Sequence, residues 1–377
     1  MSRLAATDAQ RQDPSDRTAH PIRGEKMIVR ALVLGPLPGS AGGIGVMMSH
    51  VQSSYSEVSQ LRFIDTGASG KRRLQSFLAC VAGLIKNPRC DVAHVNVASS
   101  GSSLRKILLT EIIKLRRVPY VIHLHGGGYQ RFYAKLPRPL KWVVRRFFRG
   151  AAFVIVLGRV WEDFVVSDLG VKSSAVCVLP NAVPGPATLN PGERQNRVLF
   201  AGKLVSSKGI RELLRAAELV SEDISWSLDL AGDCPDSEIV AAIENSSAPV
   251  RWHGWVDQRR LGELMSEAAV FALPSHAEGL PLSLLDAMAH GAMPVVTPVG
   301  SIPEVITHKR NGIIVEVNNA ELLAAAIEEA FREKSASDSI RFNARRSWET
   351  TYSIETYRRS LDKIYCSAID RRYNNDQ

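Results

Sequence analysis

Short, continuously apolar runs alternate with longer amphipathic segments along most of the chain. The run IVRALVLG at residues 28–35 is apolar almost throughout, which is typical of a parallel strand buried on both faces. Similar runs recur through the first half, and the alternation starts again with RVLFAG at residues 197–202. Strands that alternate with helices predict an α/β fold, here as two doubly wound, Rossmann-like domains.

The stretch between the two series, Pro180–Glu193, is rich in proline, glycine and asparagine and indicates a linker. The late segment TYSIETYRRSLDKIYCSAI predicts an amphipathic helix beyond the second domain, and we expect it to cross back onto the first. The predicted divisions are a disordered tail at 1–26, a first domain at 27–183, a linker at 184–196, a second domain at 197–345 and a C-terminal helix at 346–377.

Composition excludes several classes of protein. The chain has 377 residues, 45% hydrophobic and 23% charged, as in an ordinary soluble protein of two domains. No apolar run approaches the roughly 20 residues that cross a bilayer, and the polar amino terminus does not resemble a secretory signal. Five scattered cysteines without a CxxC pair argue for a reducing compartment and against a zinc site.

Basic side chains are concentrated in the first half. Residues 1–190 carry a net charge of +15, whereas the whole chain carries +9. Such a half can face an anionic membrane, a phosphorylated substrate or nucleic acid, or it is simply a soluble basic surface. Within it, YAKLPRPLKWVVRRFFRG (residues 133–150) predicts one amphipathic helix that carries Lys and Arg beside aromatic residues, which suits an anionic membrane surface, and no nucleic-acid partner is expected. The alternative is a solvated helix whose aromatic residues face the core.

A glycine-rich loop follows the first predicted strand. Glycines at this place let the backbone approach a ligand and direct its amides at phosphate. Asp65, at the end of the next strand, suits the ribose of a dinucleotide. The spacing is not GxGxxG, however, because Met48 stands where the third glycine would follow Gly43 and Gly45, and this argues against a nicotinamide cofactor. The loop glycines are Gly39, Gly42, Gly43 and Gly45.

The stretch Pro274–Glu304 carries the strongest chemical signal. Its first acid, Glu278, stands in a loop at a predicted helix start, where free amides attract anions and hydroxyl-rich ligands. Asp286 follows a little over two helical turns later, on the same face, and Glu304 is a third acid. This arrangement suits a ligand with both hydroxyls and phosphate. The loop residues after the first acid are Gly279, Leu280 and Pro281.

Two lysines and a histidine stand at other predicted strand ends. Lys203 and Lys208 share the turn FAGKLVSSKG, so two ammonium groups and a helix start converge, which suits a diphosphate. His125 follows a strand in HLHGGG, where strand ends of an open α/β sheet line a ligand crevice. The sequence has no DxD pair to clamp a divalent ion, and no metal or other cofactor is expected.

Together these motifs resemble the retaining GT-B glycosyltransferases of family GT4. The resemblance rests on HxHGG in the first domain, on GKLxxxKG and EGLPxxxxDA in the second, and on the two-domain pattern from about Met27 onward. It implies a GT-B fold, in which two Rossmann-like domains face each other across a cleft. The first domain would take the acceptor, and the second would bind the nucleotide sugar.

The resemblance also implies roles for individual residues. Lys203 and Lys208 would stabilise the departing diphosphate, Asp286 would contact the ribose, and Glu278 and His125 would act at the donor sugar. Two positions depart from the family pattern. The first basic position is usually arginine and is lysine here, and the second acid is usually glutamate and is one methylene shorter here, so a water-bridged ribose contact is an alternative. Further donor-binding positions would be Gly42, Gly43, Gly279, Leu280 and Pro281.

The implied reaction is a metal-independent transfer of a hexose, with retention of configuration, from a sugar of the GDP-mannose or UDP-glucose type. The acceptor would be an oligosaccharide or a lipid-linked glycan, such as a polyprenyl-diphosphate-linked sugar in bacterial cell-surface polysaccharide synthesis. Ser102, Arg105 and Lys106, at a helix start, are candidate contacts for its phosphate. We expect a cytoplasmic protein, peripheral on the inner face of the cytoplasmic membrane. The alternatives are a nucleotide-sugar 2-epimerase, an NAD-dependent enzyme and a non-catalytic scaffold.

Overall fold

The computed structural model of the chain describes residues 28–40, 42–66, 78, 80–84, 90–98, 101–125, 128–189 and 194–375. The predicted tail at 1–26 lies outside the described residues. Within them the backbone forms two six-stranded sheets, one in each half of the chain. Helices connect the strands, as the alternation of apolar and amphipathic segments predicts.

The first sheet is parallel throughout. Its strands are β1 (Val29–Gly35), β2 (Ser59–Asp65), β3 (Val92–Val97), β4 (Tyr120–Leu124), β5 (Phe153–Val156) and β6 (Val176–Val178). The helices of this half are α1 (Gly43–Ser53), α2 (Gly101–Leu115), α3 (Tyr129–Ala134), α4 (Arg138–Arg149) and α5 (Arg159–Ser167). The strand order is β2-β1-β3-β4-β5-β6, so the winding reverses between β1 and β3 and leaves a crevice at their carboxyl ends.

The second sheet repeats this plan. Its strands are β7 (Gln195–Ala201), β8 (Ser227–Ala231), β9 (Val250–Gly254), β10 (Ala268–Leu273), β11 (Met293–Val296) and β12 (Ile313–Ile314). Its helices are α6 (Ile210–Leu219), α7 (Ser237–Glu244), α8 (Gln258–Glu267), α9 (Leu282–Ala289), α10 (Ile302–Val305), α11 (Ala320–Arg332) and α12 (Lys334–Ser347). The order β12-β11-β10-β7-β8-β9 places the reversal between β7 and β10.

The two crossings of the chain between the halves lie side by side. The amide of Val183 donates to the carbonyl of Tyr352 (3.1 Å), and the amide of Ile354 donates back to the carbonyl of Val183 (3.2 Å). Trp348 packs behind them, so closely that a Cβ at Gly185 would lie 2.6 Å from its indole. The linker and the returning segment therefore form one connection.

The last helix, α13 (Ile354–Asn375), packs on the first sheet. Its Tyr357 and Tyr365 are fully buried in one cluster with the residues of β1. The hydroxyl of Ser59, at the start of β2, donates to Oδ1 of Asp362 (2.5 Å). Both apolar and polar contacts thus attach the end of the chain to its beginning.

The basic segment at residues 133–150 is not the single helix that was predicted. α3 ends before Pro137 and α4 begins after it, because proline excludes helical geometry from the residue before it and cannot continue a helix itself. Lys135 therefore lies outside α4. Phe147 and Phe148 face the core, whereas Trp142 is 62% exposed. No described helix is both long and apolar enough to cross a bilayer.

Candidate active site

In the second half, the reversal of the sheet brings two predicted loops together. The loop after β7 carries the lysines, of which Lys203 is exposed, and the loop after β10 carries the acid. The amide of His276 in the second loop donates to the carbonyl of Ser207 in the first (3.0 Å). Gly209 has a φ of 72°, and a Cβ there would lie 2.0 Å from the carbonyl oxygen of Pro274. Glycine alone permits this approach, and the two loops form one unit.

Lys208 and Glu278 form a direct ion pair in this unit, with Nζ 2.5 Å from Oε1. The hydroxyl of Ser275 donates to the same carboxylate oxygen (2.7 Å). The acid side chain is only 7% exposed, so the attraction is screened less than at an open surface. The structure thus joins the lysine predicted for the diphosphate to the acid predicted for the sugar.

Contacts from outside the loop fix the backbone that follows the acid. The carbonyl of Gly279 accepts a hydrogen bond from the amide of Ser301 (2.8 Å). Leu280 is buried, and its carbonyl accepts from Nδ2 of Asn181 in the linker (2.8 Å). This part of the predicted donor site is therefore held by a residue that connects the two halves.

Asp286 lies inside α9, the helix that begins directly after Pro281. The residue is 4% exposed, and its Oδ1 has no hydrogen-bond partner among the described residues. Burial raises the pKa of this carboxyl to about 7. A ribose contact stays a prediction, but the side chain is desolvated and retains an unused acceptor.

In the first half, the loop between β1 and α1 ends in the two predicted glycines. Gly42 has a φ of 100°, and no heavy atom of the described residues lies within 4 Å of a Cβ placed at Gly42 or Gly43. Gly45 differs, since its Cβ would lie 2.1 Å from the carbonyl oxygen of Ser40, and it serves the turn itself. Gly42 and Gly43 therefore border open space at the reversal point of this sheet.

His125 follows β4 and is oriented by a residue that the sequence analysis missed. Its Nε2 lies 2.7 Å from Oδ1 of Asn96 on β3, and Nε2 of His94 lies 3.1 Å from the same oxygen. An amide oxygen only accepts, so both rings donate from Nε2. Burial, with smaller contributions from the nearby His94 ring and the Lys106 ammonium, lowers the pKa of His125 to about 3. The ring is neutral, and its Nδ1 carries no proton.

The hydrogen-bond chain continues from His94 to the last helix. Its Nδ1 lies 2.8 Å from the hydroxyl of Tyr365, which donates. His123 lies two residues before His125, on the same side of the sheet. It is buried, and its ring centroid lies 3.8 Å from that of His125. The sequence did hold a signal for the role of Asn96. His94 and Asn96 are the two polar residues of the otherwise apolar β3, and buried polar groups need hydrogen-bond partners.

Glu304 joins the two halves. Its carboxylate accepts hydrogen bonds from the amides of Arg159 (2.8 Å) and Val160 (3.4 Å), the first two residues of α5. A Cβ at Gly158 would lie 2.5 Å from Oε1, so the approach needs a glycine there. A carboxylate at a helix start satisfies free amides and complements the helix dipole. The third acid of the stretch is therefore a cap for a helix of the other half.

The predicted acceptor contacts lie on α2 and are not one surface group. Nε of Arg105 donates to the carbonyl of Thr66 (3.3 Å). Lys106 is 2% exposed, and burial lowers its pKa to about 8, an effect that Asp65 opposes. The side chain of Ser102 lies outside the described residues. Lys106 is thus an interior cation near the acid that the dinucleotide alternative would need. Within the described ranges, no three His, Cys, Asp or Glu side chains form a group that could hold a metal ion.

Two facing, doubly wound parallel sheets with a linker and a returning helix have the GT-B architecture, as predicted. The family model described as Glycosyl transferases group 1 matches residues 195–333, and that described as Glycosyl transferase 4-like domain matches residues 17–182. The chain belongs to this family of GT4-type glycosyltransferases, and the expected family and fold are confirmed.

Among curated relatives, the alpha-maltose-1-phosphate synthase of Mycolicibacterium smegmatis is 28% identical over 66% of this chain and 65% of its own length. The GDP-mannose:cellobiosyl-diphosphopolyprenol alpha-mannosyltransferase of Xanthomonas campestris is 24% identical over 62% of this chain and 63% of its own. The chain thus spans slightly less than two thirds of these relatives.

The fold matches solved structures over most of the chain. Anabaena Alr3699/HepE, solved in complex with UDP and glucose, superposes with a TM-score of 0.73 at 16% identity and covers 90% of this chain and 100% of its own. The sucrose-phosphate synthase of Thermosynechococcus elongatus gives 0.72 at 17% identity, over 91% and 100%. At identities this low, the superpositions show a shared fold and nothing further.

Proposed function

We propose that the chain transfers a hexose, with retention of configuration and without a metal ion, from a nucleotide-diphosphate sugar to a glycan acceptor. The ion pair between Lys208 and Glu278 carries this proposal. An ammonium group, which suits a diphosphate, and a carboxylate, which suits sugar hydroxyls, are here joined at the sheet reversal where α/β folds bind ligands, and this supports the proposal.

Donor binding then rearranges the pair. The diphosphate draws the ammonium of Lys208 away from the carboxylate of Glu278, which becomes available to the sugar hydroxyls, while Ser275 keeps the carboxylate in place. The bond between the anomeric carbon and the phosphate oxygen breaks, and the acceptor oxygen bonds to the same face of that carbon. The acceptor proton passes to the departing phosphate, whose negative charge Lys203 and Lys208 stabilise.

His125 contributes from the first half as a neutral ring. With Nε2 donating to Asn96, the free Nδ1 accepts a hydrogen bond from a donor-sugar hydroxyl. The low pKa keeps the ring uncharged throughout the neutral range, so it adds no positive charge at the sugar. We assign it an orienting role at the donor.

Donor and acceptor classes are proposed from the relatives. The Xanthomonas relative is named for GDP-mannose and a diphosphopolyprenol acceptor, and the Anabaena structure holds UDP and glucose. Others are named as an amylovoran biosynthesis glycosyltransferase of Erwinia amylovora and an O-antigen chain mannosyltransferase of Escherichia coli. We propose a GDP-mannose or UDP-glucose type donor and a polyprenyl-diphosphate-linked glycan of a cell-surface polysaccharide.

The direct test offers each donor with and without a diphosphopolyprenol-linked acceptor and follows products by mass spectrometry and NMR. We expect acceptor-dependent transfer, the donor's anomeric configuration in the product, and no loss with a chelator. Glu278→Gln should abolish transfer, and Glu321→Gln, an exposed acid of the same half, should not. Formation of an epimerised donor in the absence of acceptor would show that the protein is an epimerase instead. A lack of turnover with every donor would favour the non-catalytic scaffold.

A membrane-facing surface on α4 extends the proposal to a peripheral position at the cytoplasmic membrane. The exposed Trp142 stands beside a groove of about 720 Å³. Three exposed leucines lie along the adjacent α2 at helical spacing, on a single stripe. Cations beside exposed apolar groups suit an anionic bilayer surface. The basic residues that line the groove are Arg138, Lys141, Arg145, Arg146 and Arg149, and the leucines are Leu104, Leu108 and Leu115.

Sedimentation with phosphatidylglycerol vesicles tests this surface. Lys141→Gln combined with Trp142→Ala should reduce binding about 30-fold, because the two changes remove an electrostatic and an apolar contact, each worth about 1 kcal/mol. Trp255→Ala combined with Lys309→Gln is the matched control, since both are exposed in the second half. Equal loss in the two pairs would reject α4 as the contact.

A further inference from the structure

A second, cationic cavity lies at the foot of the first sheet. It has a volume of about 730 Å³ and is bordered by the amino ends of β4 and β5, including Tyr120 and Ala152. The candidate active site borders the carboxyl ends of the strands, at the opposite edge of the sheet. The cavity is therefore separate from the cleft, and neither the family nor the proposed reaction assigns it a role.

Cationic side chains from four separate segments converge on this cavity, and none of the described residues that line it is an acid. They come from the end of α2, the end of α4, the loop before β6 and the end of α13. The residues are Lys114, Arg117, Arg149, Lys172, Arg371 and Arg372.

Several of these cations are fixed by the protein itself. Arg371 donates to the carbonyls of Ala152 (2.9 Å) and Ser174 (2.5 Å), and Nε of Arg149 donates to the carbonyl of Leu169 (3.2 Å). Lys114 pairs with Glu111, which lies outside the lining (2.8 Å). The pairing of Lys114 with Glu111 neutralises a charge, whereas the carbonyl oxygens orient the guanidinium groups of Arg371 and Arg149 and leave their charges in place. A fixed cation loses little entropy when it binds an anion.

Arg117 adds an observation of a different kind. It has a φ of 54°, in the left-handed region, two residues after the end of α2. Its amide donates to the carbonyl of Lys114 (2.8 Å), and the next amide, of Val118, reaches back to the carbonyl of Ile113 (3.3 Å), which is the arrangement that usually ends a helix with glycine. The chain places an arginine where glycine would fold with less strain. Strained positions of this kind persist mostly at functional sites.

We propose that this cavity binds a phosphate-bearing anion, either a soluble phosphorylated compound or the headgroup of an anionic lipid. A cavity bordered by cations, with no acid among its described lining residues, complements the negative charge of a phosphate or diphosphate, and a guanidinium fork fits its oxygens. Arg117 reaches the anion from the strained turn, and this contact accounts for the arginine there. The site goes beyond the proposed transferase and does not depend on it.

The test uses inorganic pyrophosphate and calorimetric titration of the full chain with Lys203→Gln and Lys208→Gln together as background, so that neither lysine of the cleft contributes. Arg117→Gly should weaken binding about tenfold, as loss of one charge-assisted contact predicts. The same change should hold or raise Tm, because glycine adopts the left-handed conformation without a Cβ clash. A merely structural arginine would not give these opposite effects. Lys172→Gln should weaken binding likewise.

Lys309→Gly is the matched control, since Lys309 also has a left-handed φ, of 59°, but lies in the second half. It should relieve the same strain without changing pyrophosphate affinity. Vesicles of phosphatidylglycerol, compared with phosphatidylcholine, identify the source. Loss of vesicle binding with Arg117→Gly supports the lipid headgroup, and loss of pyrophosphate binding alone supports a soluble ligand. Unchanged binding of both probes by Arg117→Gly and Lys172→Gln overturns the proposal.

Discussion

The hydroxyl of Tyr365, on the last helix of the chain, donates a hydrogen bond to Nδ1 of His94 in the first sheet, across 2.8 Å. His94 in turn donates to Oδ1 of Asn96, which also accepts from His125, so one hydrogen-bond network links the last helix to a ring at the candidate site. The orientation of His125 thus depends on residues that lie far apart in sequence.

Changing Asn96 to aspartate should make His125 titrate. A carboxylate would accept the same two hydrogen bonds and add a negative charge beside both rings, so the pKa of His125 should rise from about 3 toward neutrality. A raised pKa means that the ring becomes charged as pH falls, and kcat/KM should then decline below about pH 6. Side-chain ¹⁵N shifts of the histidines report the protonation directly. Tyr365→Phe removes only the hydrogen bond to His94, so it should leave the ¹⁵N shifts of His125 unchanged. Equal shifts of His125 in the two variants would contradict this hydrogen-bond network.

Asp286 should make the protein less stable as pH rises. Its pKa is raised to about 7, whereas the unfolded carboxyl titrates near its ordinary value of 3.8. The unfolded state therefore releases its proton first, and stability that is present below about pH 4 is lost as pH rises through 7. Asp286→Asn should increase the free energy of unfolding at pH 8 by up to about 4 kcal/mol, and the difference should shrink at pH 4. Urea titrations at the two pH values measure it, and an equal change at both would refute the titration.

Glu278→Gln should tighten the binding of a nucleoside diphosphate while it abolishes transfer. The amide no longer holds the ammonium of Lys208 as an ion pair, so the diphosphate competes with a weaker partner. We expect about fivefold tighter binding by calorimetry, equivalent to about 1 kcal/mol, and at least about 100-fold slower transfer. Ser275→Ala, which keeps the acid and its charge, should not tighten binding. A weaker affinity in Glu278→Gln would remove the proposed competition.

Glu304→Gln should loosen the contact between the two halves. The carboxylate caps α5 from the opposite side, and a cap of this kind contributes about 1 kcal/mol. Hydrogen exchange at the amides of Arg159 and Val160 should accelerate, with a fall in Tm of about 2–4 °C. Glu321, in the first turn of α11 but within one half, provides the control, and Glu321→Gln should leave those two amides protected. Unchanged exchange in Glu304→Gln would show that the cap does not hold the halves together.

The fold was predictable from the sequence because parallel strands covered on both faces are apolar throughout, as in β10, where every residue is buried. The meeting of the β7 and β10 loops also followed, since the reversal of a doubly wound sheet brings those strand ends together. The prediction of one helix over 133–150 was wrong. It followed the alternation of basic and apolar residues and neglected Pro137, a residue that interrupts helices.

Long-range polar pairing was not predictable. Neither the partnership of Lys208 with Glu278 nor that of Asn96 with His125 follows from periodicity, which places a residue on a face but does not choose its partner. Glu304 was grouped with the other acids by sequence proximity, whereas its contacts lie in the other half. The burial of Lys106 was not predicted either, because a lysine in a helix usually faces solvent.

The attachment of α13 to the first sheet orders events during synthesis. The ribosome must complete the second sheet before it releases Tyr357 and Tyr365, which fill the core beside β1. At 5–20 residues per second this delay is on the order of ten seconds or more. The amino-terminal half therefore waits, with an apolar face uncovered, until residues 354–369 emerge. We expect nascent chains stalled before residue 354 to recruit chaperones through that face, and the last helix to commit both halves to their native state together.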